Sequence, residues 1–109
     1  MNPTKRHLTI LALAATTAAL SAADTAGIWD KTCQKCHGAD GKAGTKIGKI
    51  LQIRDMTNAK FQASFTDDQA FKAIKEGIKD GDKVKMKPAE GLSDDDIKAL
   101  VAKVRAFKP

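Results

Sequence analysis

The chain has 109 residues, room for one domain and little else. Its 19 lysines and arginines outweigh 13 acidic residues, giving a formal charge of +6. Two cysteines are too few for a zinc ribbon, which needs four ligands, and the basic residues lack the interleaved aromatics of a nucleic-acid-binding surface.

At the start of the chain Lys5 and Arg6 precede an uncharged apolar run from Leu8 to Leu20, and Ser21 and Ala23 place small residues around a cleavage point. This is the pattern of a secretory signal peptide, so residues 1–23 are expected to be removed and residues 24–109 to form the working domain. The run is shorter than the ~20 apolar residues of a spanning helix, and Thr9, Thr16 and Thr17 dilute it. No cysteine sits near the cleavage point to carry a lipid. The 86 residues that remain (109 − 23) keep all 13 acidic and 17 of the 19 basic residues, for a charge of +4. A domain so small buries a modest fraction of its surface, and its aromatics are limited to Trp29, Phe61, Phe65, Phe71 and Phe107. Its core needs another bulky occupant.

Next comes a helical stretch in which Trp29, Cys33 and Cys36 fall at i, i+4 and i+7 and share one face. Residues 38–48 hold four glycines and read as loop. Ile47, Ile50, Leu51 and Ile53 follow, and both available roles, pocket wall or protein core, make them buried. A second helix is expected to start at Thr66, which forms a capping-box pattern with Gln69, while Asp67 and Asp68 suit the positive end of the helix dipole. Phe71, Ile74 and Ile78 give its apolar face, and Gly77 marks its end. Residues 80–91 read as a lysine-rich loop carrying Met86 and Pro88. The third helix begins at Ser93 as N-cap, with Asp94, Asp95 and Asp96 in the first turn. Ile97, Leu100, Val101 and Val104 then form a single buried stripe. No strand pattern of useful length appears, so the domain reads as all-α.

Cys33-Gln34-Lys35-Cys36-His37 is the C-x-x-C-H pattern of c-type haem attachment. Residues three apart on a helix are surface neighbours, so the two thiols can add across the two vinyl groups on one side of a porphyrin. The histidine that follows is then directed at the iron from one face. A haem is also the large, flat, mostly apolar body that the core lacks. The alternatives are a thioredoxin-like pair, which wants a βαβ context that is missing, and a plain Cys33–Cys36 disulfide in an exported protein.

With these residues in view, the chain resembles the class I c-type cytochromes over essentially all of residues 24–109. CQKCHGADGKAG (33–44) is similar to that family's haem-binding segment, and Trp29 to the aromatic four residues before the first cysteine. Met86 with Pro88 resembles its methionine loop, and LSDDDIKALVAKVRAF (92–107) its terminal helix. The resemblance implies about three main helices around one covalent haem c, held by Cys33 and Cys36, with His37 as proximal and Met86 as distal iron ligand. Met56 is the competing methionine, but it matches no family motif. Lys87 separates Met86 from Pro88, Ala89 stands where an aromatic often follows the proline, and Lys103 replaces a frequent aromatic in the last helix. His7 lies in the leader, so a second histidine ligand is not available to the processed chain.

The expected function is a single-haem electron carrier of the bacterial periplasm, not an enzyme, monomeric and without a membrane span. The alternative is a haem protein with an open sixth site acting as a sensor or catalytic subunit. Trp29 is expected to pack between the first and last helices near Leu100 and Val104. Most lysines are ordinary solvated surface. Those flanking the two haem-contacting segments (Lys31, Lys35, Lys42, Lys46 and Lys49; Lys83, Lys85 and Lys87) are positioned to steer redox partners with acidic docking surfaces. Nucleic acid is not an expected partner.

Overall fold

The computed structural model describes residues 20–108. The leader expected over residues 1–23 lies outside them except for its last four, whose backbone opens the first helix. That helix, α1 (Leu20–Ile28), continues without a break into a π-helical turn (Trp29–Cys33) and then α2 (Gln34–His37). In the π turn the Gln34 N–H donates to the Trp29 carbonyl, an i→i+5 bond that adds one residue to the turn carrying the first cysteine. Such turns recur at functional sites.

The two later long helices start as their cap residues dictate. In α5 (Asp67–Glu76) Thr66 Oγ1 accepts from the Gln69 N–H at 3.1 Å, and the Gln69 side chain accepts from the Thr66 N–H at 2.9 Å. Ser93 and Asp96 make the same reciprocal pair at the start of α6 (Asp94–Ala106), both at 3.1 Å. Each box satisfies two otherwise orphaned backbone donors. The expected stripe of α6 is buried, with Ile97 and Leu100 at 1% and 0% exposure, and Gly77 ends α5 as anticipated.

Three local features depart from the sequence reading. The glycine loop ends early: α3 (Lys46–Ile50) begins within it, because Thr45 caps the helix by accepting from the Gly48 N–H at 2.9 Å. A second short helix, α4 (Ala59–Ala63), is capped by Asn58, which accepts from the Phe61 N–H at 3.0 Å. The lysine-rich loop is in part an antiparallel hairpin, β1 (Ile78–Asp80) against β2 (Lys83–Met86), turning at Gly81 and Asp82. Lys83-Val84-Lys85-Met86 alternates polar and apolar residues, the period of a strand, within what otherwise reads as a run of lysines. The fold is mostly helical, with three main helical stretches and this one hairpin among the described residues.

The core gathers Trp29 and Cys33 from the first helical stretch, Met56, Ile74 from α5, and Ile97, Leu100, Val101 and Val104 from α6. Trp29 is 2% exposed and its Nε1–H donates to the Gly38 carbonyl at 3.0 Å, so its one polar atom is satisfied in the interior. Its ring lies 5.2 Å from that of Phe107, and Lys103 Nζ stands 5.4 Å from both ring centroids. Lys103 thus faces the aromatic pair with its charge.

Candidate functional site

A cavity of about 390 Å³ opens between the first helical stretch, α5, α6 and the hairpin, within the ~300–1,000 Å³ of small-molecule and cofactor sites. Trp29, Cys33 and His37 form one wall, and Leu100 and Val104 the floor beneath them. Met56, Phe61 and Phe65 come from α4 and its flanks, and Gln69, Ala70, Ala73 and Ile74 from α5. Ile78 and Met86 complete it from the two strands of the hairpin. Alanines at 70 and 73, on the α5 face that looks inward, leave the volume that larger residues would fill.

Of the residues singled out from the sequence, Cys33, His37 and Met86 line this cavity and so does the competitor Met56. Cys36 is half-buried and is not among the residues that line the cavity, although the sequence spacing placed it on the face of Trp29 and Cys33. Its carbonyl accepts from Thr45 Oγ1 at 2.8 Å, and a Cβ on Gly48 would stand 2.7 Å from that same carbonyl oxygen. Only glycine lets α3 pack so closely on the cysteine segment. No disulfide joins the two cysteines.

The isoleucine group behaves differently from its expectation. None of Ile47, Ile50, Leu51 and Ile53 lines the cavity, and Ile50 and Leu51 are 68% and 50% exposed. The buried face of α3 is taken by Gly48, which turns Ile50 and Leu51 outward. The cavity's apolar wall comes instead from Phe61, Phe65 and Ile74.

Burial sets the electrostatics. The Cys33 thiol is pushed up to about 11, chiefly by desolvation, with Cys36 raising it further and Lys103 lowering it. Burial also lowers the pKa of His37, keeping its imidazole neutral with a free lone pair near pH 7. Its Nδ1 is buried without a hydrogen-bond partner, and its ring lies 6.0 Å from that of Trp29. Buried imidazole nitrogens are rarely left unpaired.

Residues 20–102 match the family model described as cytochrome C oxidase, cbb3-type, subunit III. The solved structure of the KustC0563 c-type cytochrome is 33% identical, with a TM-score of 0.69 over 79% of this chain and 99% of that one. The structure of a tyrosine-to-phenylalanine mutant of the same cytochrome is 34% identical, with a TM-score of 0.66 over 78% and 99%. No curated protein matches. The chain is therefore a class I-like c-type cytochrome, and belongs to the family that the cbb3-type subunit III model defines.

Membership implies a covalently bound haem c, and c-type cytochromes are typically electron carriers and commonly exported. The residues present fit that group. The cavity wall is apolar, a cysteine lies on it, and a neutral histidine carries a buried nitrogen that the chain itself leaves unpartnered. Among the described residues no helix is long and apolar enough to cross a membrane.

Proposed function

We propose that the protein is a single-haem electron carrier of the periplasm, closed at the sixth position, with thioethers at Cys33 and Cys36 and axial ligands His37 and Met86. When bound, the haem supplies the Fe(III)/Fe(II) couple. Everything else is the work of the chain. Cys33 and Cys36 would hold the haem covalently, and the neutral His37 would offer a ring nitrogen to its iron. Leu100, Val104, Phe61 and Phe65 exclude water from the cavity, which keeps reorganisation small. A thioether from Met86 is a soft, weak donor that favours the reduced iron and raises the potential.

One observation carries the choice of Met86 over Met56. The Met56 N–H donates to the carbonyl of Gly41 at 2.9 Å, four residues beyond His37, so Met56 is tied to the histidine's own segment. Met86 reaches the cavity from the hairpin that follows α5, a support independent of that segment. A ligand opposite His37 needs such a support. Exposed Lys83, Lys85 and Lys87 beside it, with Lys35, Lys42, Lys46 and Lys49 around the cysteine segment, favour a monomer that meets acidic redox partners through steered, salt-dependent association.

Met86→Ala in the exported holoprotein tests this reading. The expected result is a lowered reduction potential and carbon monoxide binding to the reduced form at neutral pH, with Met56→Ala close to wild type on both. An unchanged spectrum and potential in Met86→Ala overturns it. A wild type that binds carbon monoxide as readily as Met86→Ala replaces it with the open-site sensor or catalytic reading.

A further inference from the structure

Met86 does not hang from a free loop. It is the last residue of β2 and pairs with Ile78, the first residue of β1, with an irregularity in the ladder between Ile78 and Lys79. Immediately before β1, Gly77 closes α5 with φ +77° and ψ −178°, a region essentially reserved for glycine. The chain around Met86 runs across the bare face of that glycine. A Cβ at position 77 would stand 2.5 Å from the Met86 carbonyl oxygen, 2.9 Å from Pro88 N and 3.0 Å from Pro88 Cδ. Backbone and a proline ring cannot swing aside as a flexible side chain would. Three residues on, the Ala89 N–H donates to the carbonyl of Ile74 at 2.9 Å. Residues 86–89 are thus held to the last turn of α5 at two points, and Ile74, Ile78 and Met86 all face the cavity.

We propose that Gly77 is the positioning residue for the sixth ligand: its missing side chain lets residues 86–88 close onto the end of α5, which sets how far Met86 reaches into the cavity. The Ala89–Ile74 hydrogen bond is the second point of that clasp. The assignment rests on Met86 being the ligand and extends it to the residues that hold the ligand in place. Elsewhere in the hairpin Gly81 also has a positive φ, +60°, but a Cβ there would meet nothing within 4 Å. It shares the positive φ but not the close approach, and is therefore the control for placing a side chain on a hairpin glycine.

The test uses holoprotein with covalent haem, comparing Gly77→Ala, Gly81→Ala and Ala89→Pro, the last of which removes the N–H to Ile74. The readouts are carbon monoxide binding by the reduced protein and the sulfur-to-iron charge-transfer absorption of the oxidised protein. Gly77→Ala is expected to raise the population of open sites, and with it apparent carbon monoxide affinity, by roughly tenfold, since apparent affinity scales with the competent fraction. Its charge-transfer absorption should weaken in parallel. Ala89→Pro should move both readouts the same way by less, and Gly81→Ala should match wild type. If Gly77→Ala yields no folded holoprotein, Ala89→Pro against Gly81→Ala decides the matter. The proposal is overturned if Gly81→Ala opens the site as far as the clasp variants do, or if the clasp variants bind carbon monoxide no better than wild type. Met86→Ala separates the two levels: when it opens the site and the clasp variants do not, the positioning role alone falls.

Discussion

His37 ends the continuous helical run 20–37, whose Trp29 and Cys33 are buried with Leu100 and Val104 of α6, whereas Met86 ends a four-residue strand in which Val84 is 48% exposed. Apolar burial holds the first. The second depends on backbone: a short ladder, a glycine without a side chain and one hydrogen bond to Ile74. Non-directional packing tolerates small shifts but is costly to remove. Backbone geometry adds little to global stability yet fixes one residue's reach. The two sides of one cavity are therefore expected to fail in different ways, one by losing the fold and the other, under the proposed ligation, by displacing Met86.

The sharpest contrast comes from truncating each side. Leu100→Ala removes a fully buried side chain from the floor beneath His37 and should cost about 2–5 kcal/mol, read from the denaturant midpoint of the holoprotein. Next in size is Arg105→Ala. Arg105 donates to Asp67 Oδ1 at 2.7 Å, to Gln62 Oε1 at 3.0 Å and to the Phe65 carbonyl at 2.7 Å, tying α6 to the segment that bears Phe61 and Phe65. Gln62 in turn donates to the carbonyls of Met56 at 2.6 Å and Val104 at 2.8 Å. Losing the guanidinium leaves its acceptors short of a donor and should cost about 1–3 kcal/mol by the same measurement. Val84→Ala on the hairpin should stay within about 0.5 kcal/mol of wild type. A Val84→Ala cost rivalling that of Leu100→Ala would erase the contrast between the sides.

The smallest expected effect is one of pH. Asp55 accepts from the Thr57 hydroxyl at 2.6 Å and the Thr57 N–H at 2.8 Å, and these bonds hold its carboxyl below the usual 3.8. A depressed carboxylate contributes stability that is complete above its unfolded value and is lost as pH falls through the folded one. Thr57→Val should therefore be slightly destabilising at neutral pH, and its difference from wild type should shrink below about pH 3.8. Melting curves of the two proteins at a series of pH values measure this directly.

What the sequence discloses follows the same division. The C-x-x-C-H pentapeptide and the helices α5 and α6 are legible because chemistry or caps mark them: Thr66 with Gln69, and Ser93 with Asp96 and the stripe from Ile97 to Val104. The hairpin is concealed by its lysines, which mask a two-residue alternation spanning only Lys83 to Met86. In α3 and α4 the caps Thr45 and Asn58 are present, but five residues are too few for a periodic face to emerge. For the same reason hydrophobicity alone assigned Ile50 and Leu51 to the interior, when Gly48 occupies that side. The cavity wall on α5 is written partly in what is missing: Ala70 and Ala73 help propensity and also leave space, and only the second effect shapes the site. The π turn is a shift of one hydrogen bond, with no mark in composition.

Trp29 is the chain's one tryptophan, and there is no tyrosine, so ultraviolet-excited emission arises from a single point. That point lies on the cavity wall, 6.0 Å from the His37 ring and under the Lys103 ammonium. A porphyrin in the cavity drains the indole's excited state by energy transfer, leaving the native holoprotein dark. A haem joined to Cys33 and Cys36 stays within a few residues of this indole whether the chain is folded or not, so light from Trp29 reports the fraction of chains that never received the haem.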